Sequence, residues 1–287
     1  MLETYHTRGI GGLVQREFDS LDDLANSVPA AQDVENKDTL GALFGQHNHS
    51  WIGRKFTGID HAKQELHGHH KPTFKDYNAV KNALDSIELP MPVNVKRRLR
   101  WNEDGGDSLC VDRLRSGQPY WQECRRTATL GRSNVTLLCN TGAHCGVNSQ
   151  DILWRGAACV ALADWLESAG YSVRLVAAKY NLNSYTNGDD LVLSCVVKDY
   201  GQPVSESLLA NALSGWAYRT MWFYAMSTEG RVLTDNLGFP RLMTDEIANM
   251  IEPGAILCQD LWAKEAAATW LLEQAAKFAE NAAITAF

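Results

Sequence analysis

The chain has 287 residues, a formal net charge of −7, 45% apolar residues and 21% charged residues. That balance is ordinary for a globular protein and provides enough apolar side chains for a core without disulfide or metal staples. It excludes a bulk-basic nucleic-acid coat, and no apolar run approaches the roughly 18–20 residues of a membrane helix.

The first 50 residues read as loosely organised, opened by Gly9, Gly11 and Gly12. Ser20-Leu21-Asp22-Asp23 has the look of a helix start, a capping hydroxyl followed by first-turn acids. The helix should run to about Val28, where Pro29 stops it. Residues 30–50 are polar and read as loop. Thr57 is placed to cap a helix over Ile59–Leu66, and Thr73 another over Phe74–Ile87. In the latter, Phe74, Tyr77, Val80, Ala83, Leu84 and Ile87 recur at spacings of three and four, one apolar helix face. Pro90 and Pro92 end it, and residues 93–132 then mix Arg, Trp, Asp and Gly with little periodicity.

From about residue 134 the pattern changes. Val135–Cys139 is a compact apolar run, read as a buried strand. Leu153–Ala169 follows as a helix closed by Gly170 in the C′ position. Ser172–Ala178 and Leu191–Val197 read as further strands, Ser207–Ala217 as a helix, and aromatic-rich Thr220–Met226 as a fourth strand. Asp260 is placed to cap a last, Ala-rich helix from Leu261 to about Ala282. Strands alternating with helices predict one parallel or mixed sheet with helices on its faces. The expected organisation is a smaller helical, loop-rich N-terminal region (1–92), a basic connector (93–132) and an α/β domain (133–287).

Particular residues sharpen this. Val135-Thr136-Leu137-Leu138-Cys139-Asn140, then Trp154-Arg155-Gly156-Ala157-Ala158, then Leu162-Ala163-Asp164-Trp165-Leu166-Glu167-Ser168-Ala169-Gly170-Tyr171-Ser172-Val173 resemble the opening of a von Willebrand factor A-like domain. They resemble still more an uncharacterised group of phage and bacterial proteins with that opening. The group's upstream Arg-rich, Trp, acidic-Gly segment is matched by Arg97-Arg98-Leu99-Arg100-Trp101-Asn102-Glu103-Asp104-Gly105-Gly106-Asp107. The resemblance covers roughly residues 93–230. It implies an α/β, Rossmann-like sheet flanked by helices, and a phage or bacterial context. It implies no settled activity.

Von Willebrand factor A-like domains often hold a divalent ion on an Asp-x-Ser-x-Ser motif after the first strand. Here those positions are Asn140, Gly142 and His144. They offer one neutral carbonyl oxygen, no side chain, and a nitrogen that Mg²⁺ disfavours. Leu233-Thr234-Asp235 resembles a second ion-contacting loop, but one carboxylate alone makes no site. The expectation is no metal and no cofactor.

Other chemistries fare no better. Six histidines, His47, His49, His61, His67, His69 and His70, fall within 24 positions. They lack the His-Glu-x-x-His spacing of a zinc helix, and His67-Gly68-His69-His70 reads as a solvated helix end. Cys139 and Cys145 bracket a loop containing His144, but neighbours in a chain usually point apart, which argues against a Cys–His nucleophile. Cys139, Cys159 and Cys195 read as small buried thiols. Phosphate-cradling glycine loops and the Gly-x-Ser-x-Gly elbow are absent. Seven scattered cysteines with no Cys-x-x-Cys pair point to reduced thiols and a cytoplasmic location, the host cytoplasm if the chain is phage-encoded. Met1-Leu2-Glu3-Thr4 lacks the basic start of a secretory signal.

Charge is unevenly spread. Residues 96–132 carry nine basic and five acidic side chains, between two acidic flanks. Lys96, Arg97, Arg98, Arg100 and Trp101 pack four cations and an indole into six residues. Arg113, Arg115, Trp121, Arg125 and Arg126 follow, with Tyr120 and Arg132. Arg forks onto phosphate and aromatic rings stack on unpaired bases, so this interleaving suits a single-stranded nucleic-acid groove. The plainer alternative is an internal Arg–carboxylate network through Glu103, Asp104 and Asp107.

The sequence therefore predicts a non-catalytic adaptor or accessory factor. Its expected partners are single-stranded nucleic acid and a protein machine such as a polymerase, with no membrane. A purely protein-binding scaffold, using the top of the sheet, and a degenerate hydrolase-like enzyme are the alternatives.

Overall fold

The computed structural model describes residues 2–7, 12–28, 49–67, 82, 84–90, 97–102, 108–109, 111–126, 133–182, 189–202, 212–227 and 240–284. Two sheets organise them. The larger has six strands: β1 (Leu2–Thr7), β2 (Gly12–Phe18), β6 (Asn134–Asn140), β7 (Ser172–Asn181), β8 (Asp190–Lys198) and β9 (Ile256–Cys258). Their spatial order is β1-β2-β8-β7-β6-β9. Pairing is parallel between β2 and β8, β7 and β6, and β6 and β9; it is antiparallel between β1 and β2 and between β8 and β7. The smaller sheet has three strands, β3 (Arg97–Asn102), β4 (Ser108–Leu109) and β5 (Trp121–Arg126), in the order β3-β5-β4.

Helices cover the large sheet. They are α1 (Leu21–Ser27), α2 (His49–Ile52), α3 (Ile59–His67), α5 (Ser149–Ser168), α8 (Asp245–Ile251) and α9 (Lys264–Ile284). The short helix α4 (Val111–Arg115) lies between β4 and β5 in sequence. Alternation along the strands sends side chains to two cores. Leu137, Cys139, Val173, Leu175, Ala177, Leu191 and Leu193 face one layer, packed against α5, α9, α1 and α3. Leu138, Val176, Ala178, Tyr180, Val192 and Leu13 face the other, packed against Ile247, Ala248 and Ile251 of α8. Burial on both faces explains why β6–β8 read as continuous apolar runs instead of alternating ones.

Local signals set the boundaries. Ser20 caps α1, its hydroxyl accepting from the Asp23 N–H at 3.1 Å. α5 ends at Gly170, whose φ of 98° suits a residue without Cβ. There Gly170 N–H donates to Glu167 and Tyr171 N–H to Leu166, satisfying the last carbonyls. Arg174 on β7 donates through Nη1 to both carboxylate oxygens of Glu252 at 2.6 and 2.7 Å and through Nη2 to Glu17 on β2 at 2.8 Å, tying three segments together.

Three expectations need correction. Thr220–Met226 is not a strand. It lies in a continuous buried helical run made of α6 (Gly215–Ala217), a π-helical turn (Tyr218–Trp222) and α7 (Phe223–Ser227). A short apolar run cannot reveal by periodicity whether it is a buried strand or a buried helix. The opening residues are not loose, because β1 and β2 extend the main sheet, with Leu13, Val14 and Phe18 buried. The last helix starts at Lys264 instead of Leu261; Asp260, at φ 58°, accepts from the Trp262 indole instead of capping it. Most of the expected 74–87 helix and part of the 207–217 helix lie outside the described residues.

The expected α/β class holds at the level of a mixed six-stranded sheet flanked by helices. Among the described residues no helix is long and apolar enough to cross a membrane.

Candidate functional site

The basic segment forms the three-stranded sheet. Its antiparallel register sets Arg97 opposite Arg126, Arg98 opposite Arg125, Leu99 opposite Cys124, Arg100 opposite Glu123, Trp101 opposite Gln122 and Asn102 opposite Trp121. Like charges directly opposite one another destabilise an antiparallel pair, whereas Arg100 and Glu123 are a favourable pair. The register thus places two consecutive Arg–Arg positions at one end of the ribbon. Sequence reading saw the cations but assigned the segment no periodic structure, and so missed this juxtaposition. Arg113 and Arg115 sit on α4. Arg113 is half-buried and its Nε donates to the Pro119 carbonyl at 2.8 Å, while Arg115 is exposed. Trp121 begins β5, half-buried, its ring 6.2 Å from that of Tyr120. Lys96, Arg132 and the acidic turn Glu103–Asp107 lie outside the described residues.

A second arrangement sits after β6. The loop 141–147 is held by its carbonyls. Arg155 on α5, fully buried, donates to Thr141 and Gly142 at 2.7 Å each. The Tyr218 hydroxyl donates to Ala143, the Trp51 indole to Cys145, and Arg219 to Val147 and to Trp51. Burial pushes the Tyr218 phenol upward. It also lowers Arg219 to about 10. Beside them Lys179, fully buried on β7, has its ammonium 4.2 Å from the Phe223 ring centre, and burial holds it well below the usual lysine range. The Arg-Gly-Ala-Ala motif explains itself here. Arg155 forks onto the loop. A Cβ on Gly156 would meet the Leu213 Cβ at 3.0 Å, and Ala157 and Ala158 are buried in the core.

This loop does not fit a divalent cation. Asn140 Oδ1 accepts from the Gly142 N–H at 3.1 Å, and its Nδ2 donates to Arg241 and Gln259. A side chain at Gly142 would meet Pro240 at 2.6 Å. His144 Nδ1 accepts from the Gly146 N–H. Asn140 Oδ1 and the Thr141 and Gly142 carbonyls already accept hydrogen bonds, the two carbonyls from a guanidinium, and the Thr141 hydroxyl is turned to donate to Ala178. His144 and Cys145 do approach, but Sγ is 3.8 Å from Nδ1 and 3.9 Å from Nε2. Near-equal distances to both nitrogens place the sulfur along neither nitrogen's lone pair, which is not the geometry of a base activating a thiol. Of the histidine cluster, His61 Nδ1 is 3.3 Å from both the N–H and the hydroxyl of Thr57, and His69 and His70 lie outside the described residues.

The third arrangement was not legible in the sequence. Cys139 on β6, Cys159 on α5 and Cys258 on β9 bring their sulfurs within 4.8 Å of one another, all fully buried. Hydrogen bonds from Cys159 and Cys258, aided by the Arg155 charge, lower the Cys139 thiol, whereas Cys159 and Cys258 are raised. Cys195, expected as a small buried thiol, is one.

No curated protein matches the chain, and no solved structure does. The model of the family described as "Domain of unknown function (DUF7192)" matches residues 5–278, nearly the whole chain, and the protein belongs to that family.

Proposed function

We propose that the protein is a non-catalytic adaptor that grips single-stranded nucleic acid on the β3–β5 ribbon and a protein machine, such as a polymerase, on an adjoining surface. In this reading the large sheet is a von Willebrand factor A-like, Rossmann-like scaffold. The strand–loop–helix–strand succession of β6, the 141–147 loop, α5 and β7 supports that assignment. A phage or bacterial context follows from the resemblance of the same segments.

The observation that carries the nucleic-acid reading is the ribbon register. Arg97/Arg126 and Arg98/Arg125 have no acid directly across the ladder. Phosphates would offset that repulsion. An internal ion network would be expected to place an acid opposite, as it does for Arg100 and Glu123. Protein contact is favoured by α4, where Val111 and Leu114 stand 47% and 44% exposed.

Fluorescence anisotropy with labelled oligonucleotides tests this. Binding should weaken with salt, with a log–log slope of about −3 if four arginines each displace a counterion from a single strand. Changing Arg97, Arg98 and Arg100 together to Glu should abolish binding without lowering the melting temperature. Trp101→Ala should weaken single strands more than duplex, because only unpaired bases expose stacking faces. No anisotropy change with any oligonucleotide at low salt would leave the protein-binding scaffold as the better reading.

A further inference from the structure

We infer that Cys139, Cys159 and Cys258 form a buried three-thiolate site for a thiophilic d¹⁰ cation. The three ligands come from separate elements that the fold locks together. Cys139 and Cys258 stand directly opposite on paired parallel strands β6 and β9, and Cys159 approaches from α5. Their sulfurs lie within 4.8 Å of one another. Metal–sulfur bonds of about 2.3 Å hold tetrahedral thiolates about 3.8 Å apart, so ligation needs a contraction of about 1 Å or less. Backbone constraints on all three elements make that preorganised.

The surroundings suit an anionic complex. Arg155 stands one helical turn before Cys159, on the same side of α5. Its guanidinium is fully buried against the Trp262 ring at 4.7 Å, and its Nε has no hydrogen-bond partner. A buried guanidinium on the same helix face as Cys159 is a ready counter-charge. Among the described residues no fourth His, Cys or carboxylate joins the trio.

Two ions share this chemistry. Cu⁺ accepts three thiolates without a further ligand. Zn²⁺ prefers a fourth donor, but with three thiolates and the Arg155 cation its charge sums to zero. In either case three S–H bonds break, three metal–sulfur bonds form, and three protons leave to solvent, with no change of oxidation state. Because the site is sealed in the core, the ion would enter during folding.

The test uses the full chain, unfolded with chelator and refolded anaerobically with Zn²⁺, with Co²⁺ as a spectroscopic stand-in, or with Cu⁺. Elemental analysis after gel filtration should find about one ion per chain, and the Co²⁺ form should show sulfur-to-metal charge-transfer absorption. Cys258→Ser should lose the ion, whereas Cys145→Ser and Cys195→Ser should keep it. If Cys258→Ser fails to fold, wild type still decides, since the bound ion should shield three thiols from a thiol reagent in mild denaturant. Retention of Zn²⁺ but not Cu⁺ assigns the site to zinc, and the reverse assigns it to copper. The proposal is overturned if neither ion is retained, or if the Cys139, Cys159 and Cys258 triple Ser variant still binds it.

Discussion

At the scale of single residues, the loop after β6 depends on buried cations. Arg155 satisfies two carbonyls that no water reaches. Arg155→Met should cost about 3–5 kcal/mol in urea unfolding, since two buried acceptors lose their donors. Arg155→Lys should recover part of this, because one ammonium cannot reproduce the fork. Lys179 gives a pH signature. Burial depresses its folded pKa below 10.5, so between the two values the unfolded chain binds more protons than the folded one. Stability attributable to this lysine must then rise with pH through that window, up to the unfolded value. The difference in unfolding free energy between wild type and Lys179→Met should shift in favour of wild type as the pH rises towards 10.5. A pH-independent difference would show that the ammonium is not desolvated.

Elements differ in how plainly the sequence announces them. β6, α5, β7 and β8 were legible because each combines an apolar run long enough to classify with a clear stop, such as Gly170. Thr220–Met226 was not, since a buried helix and a buried strand share aromatic, apolar composition. The candidate site divides the same way. Arg97, Arg98, Arg125 and Arg126 were visible as charges, but only strand register reveals which of them oppose one another. The thiol trio left no spacing signature, since Cys139, Cys159 and Cys258 converge from two strands and a helix far apart in sequence. Two substitutions test the elements. Leu162→Asp, on the fully buried face of α5, should cost several kcal/mol through an unpaired core charge. Arg125→Glu, opposite Arg98, should stabilise the free ribbon by about 0.2–1 kcal/mol while weakening oligonucleotide binding. Loss of both stability and binding would instead place Arg125 in an internal ion network.

For the whole molecule, the N-terminal strands decide what can fold alone. β2 covers the edge of β8 and buries Leu13, Val14 and Phe18. A fragment starting at residue 133 should therefore aggregate or stay molten, an outcome that gel filtration and near-ultraviolet circular dichroism will report. The intact chain should not gain more than a few degrees of melting temperature from millimolar Mg²⁺, since Asn140 Oδ1 and the Thr141 and Gly142 carbonyls are already engaged as acceptors. A larger gain, abolished by Asn140→Ala, would restore a divalent site there.

The pairing of Leu13 with Asp190 also has a consequence for synthesis. The β1–β2 hairpin leaves the ribosome well before β8, the strand that shelters it, which follows 177 positions later. At about 5–20 residues per second, the hairpin waits roughly 10–35 s for its partner. A lone two-stranded hairpin is marginal in water, and this one presents Leu13, Val14 and Phe18 throughout the delay. Slow translation should lower the yield of native protein, and a holding chaperone that binds short apolar strands should raise it.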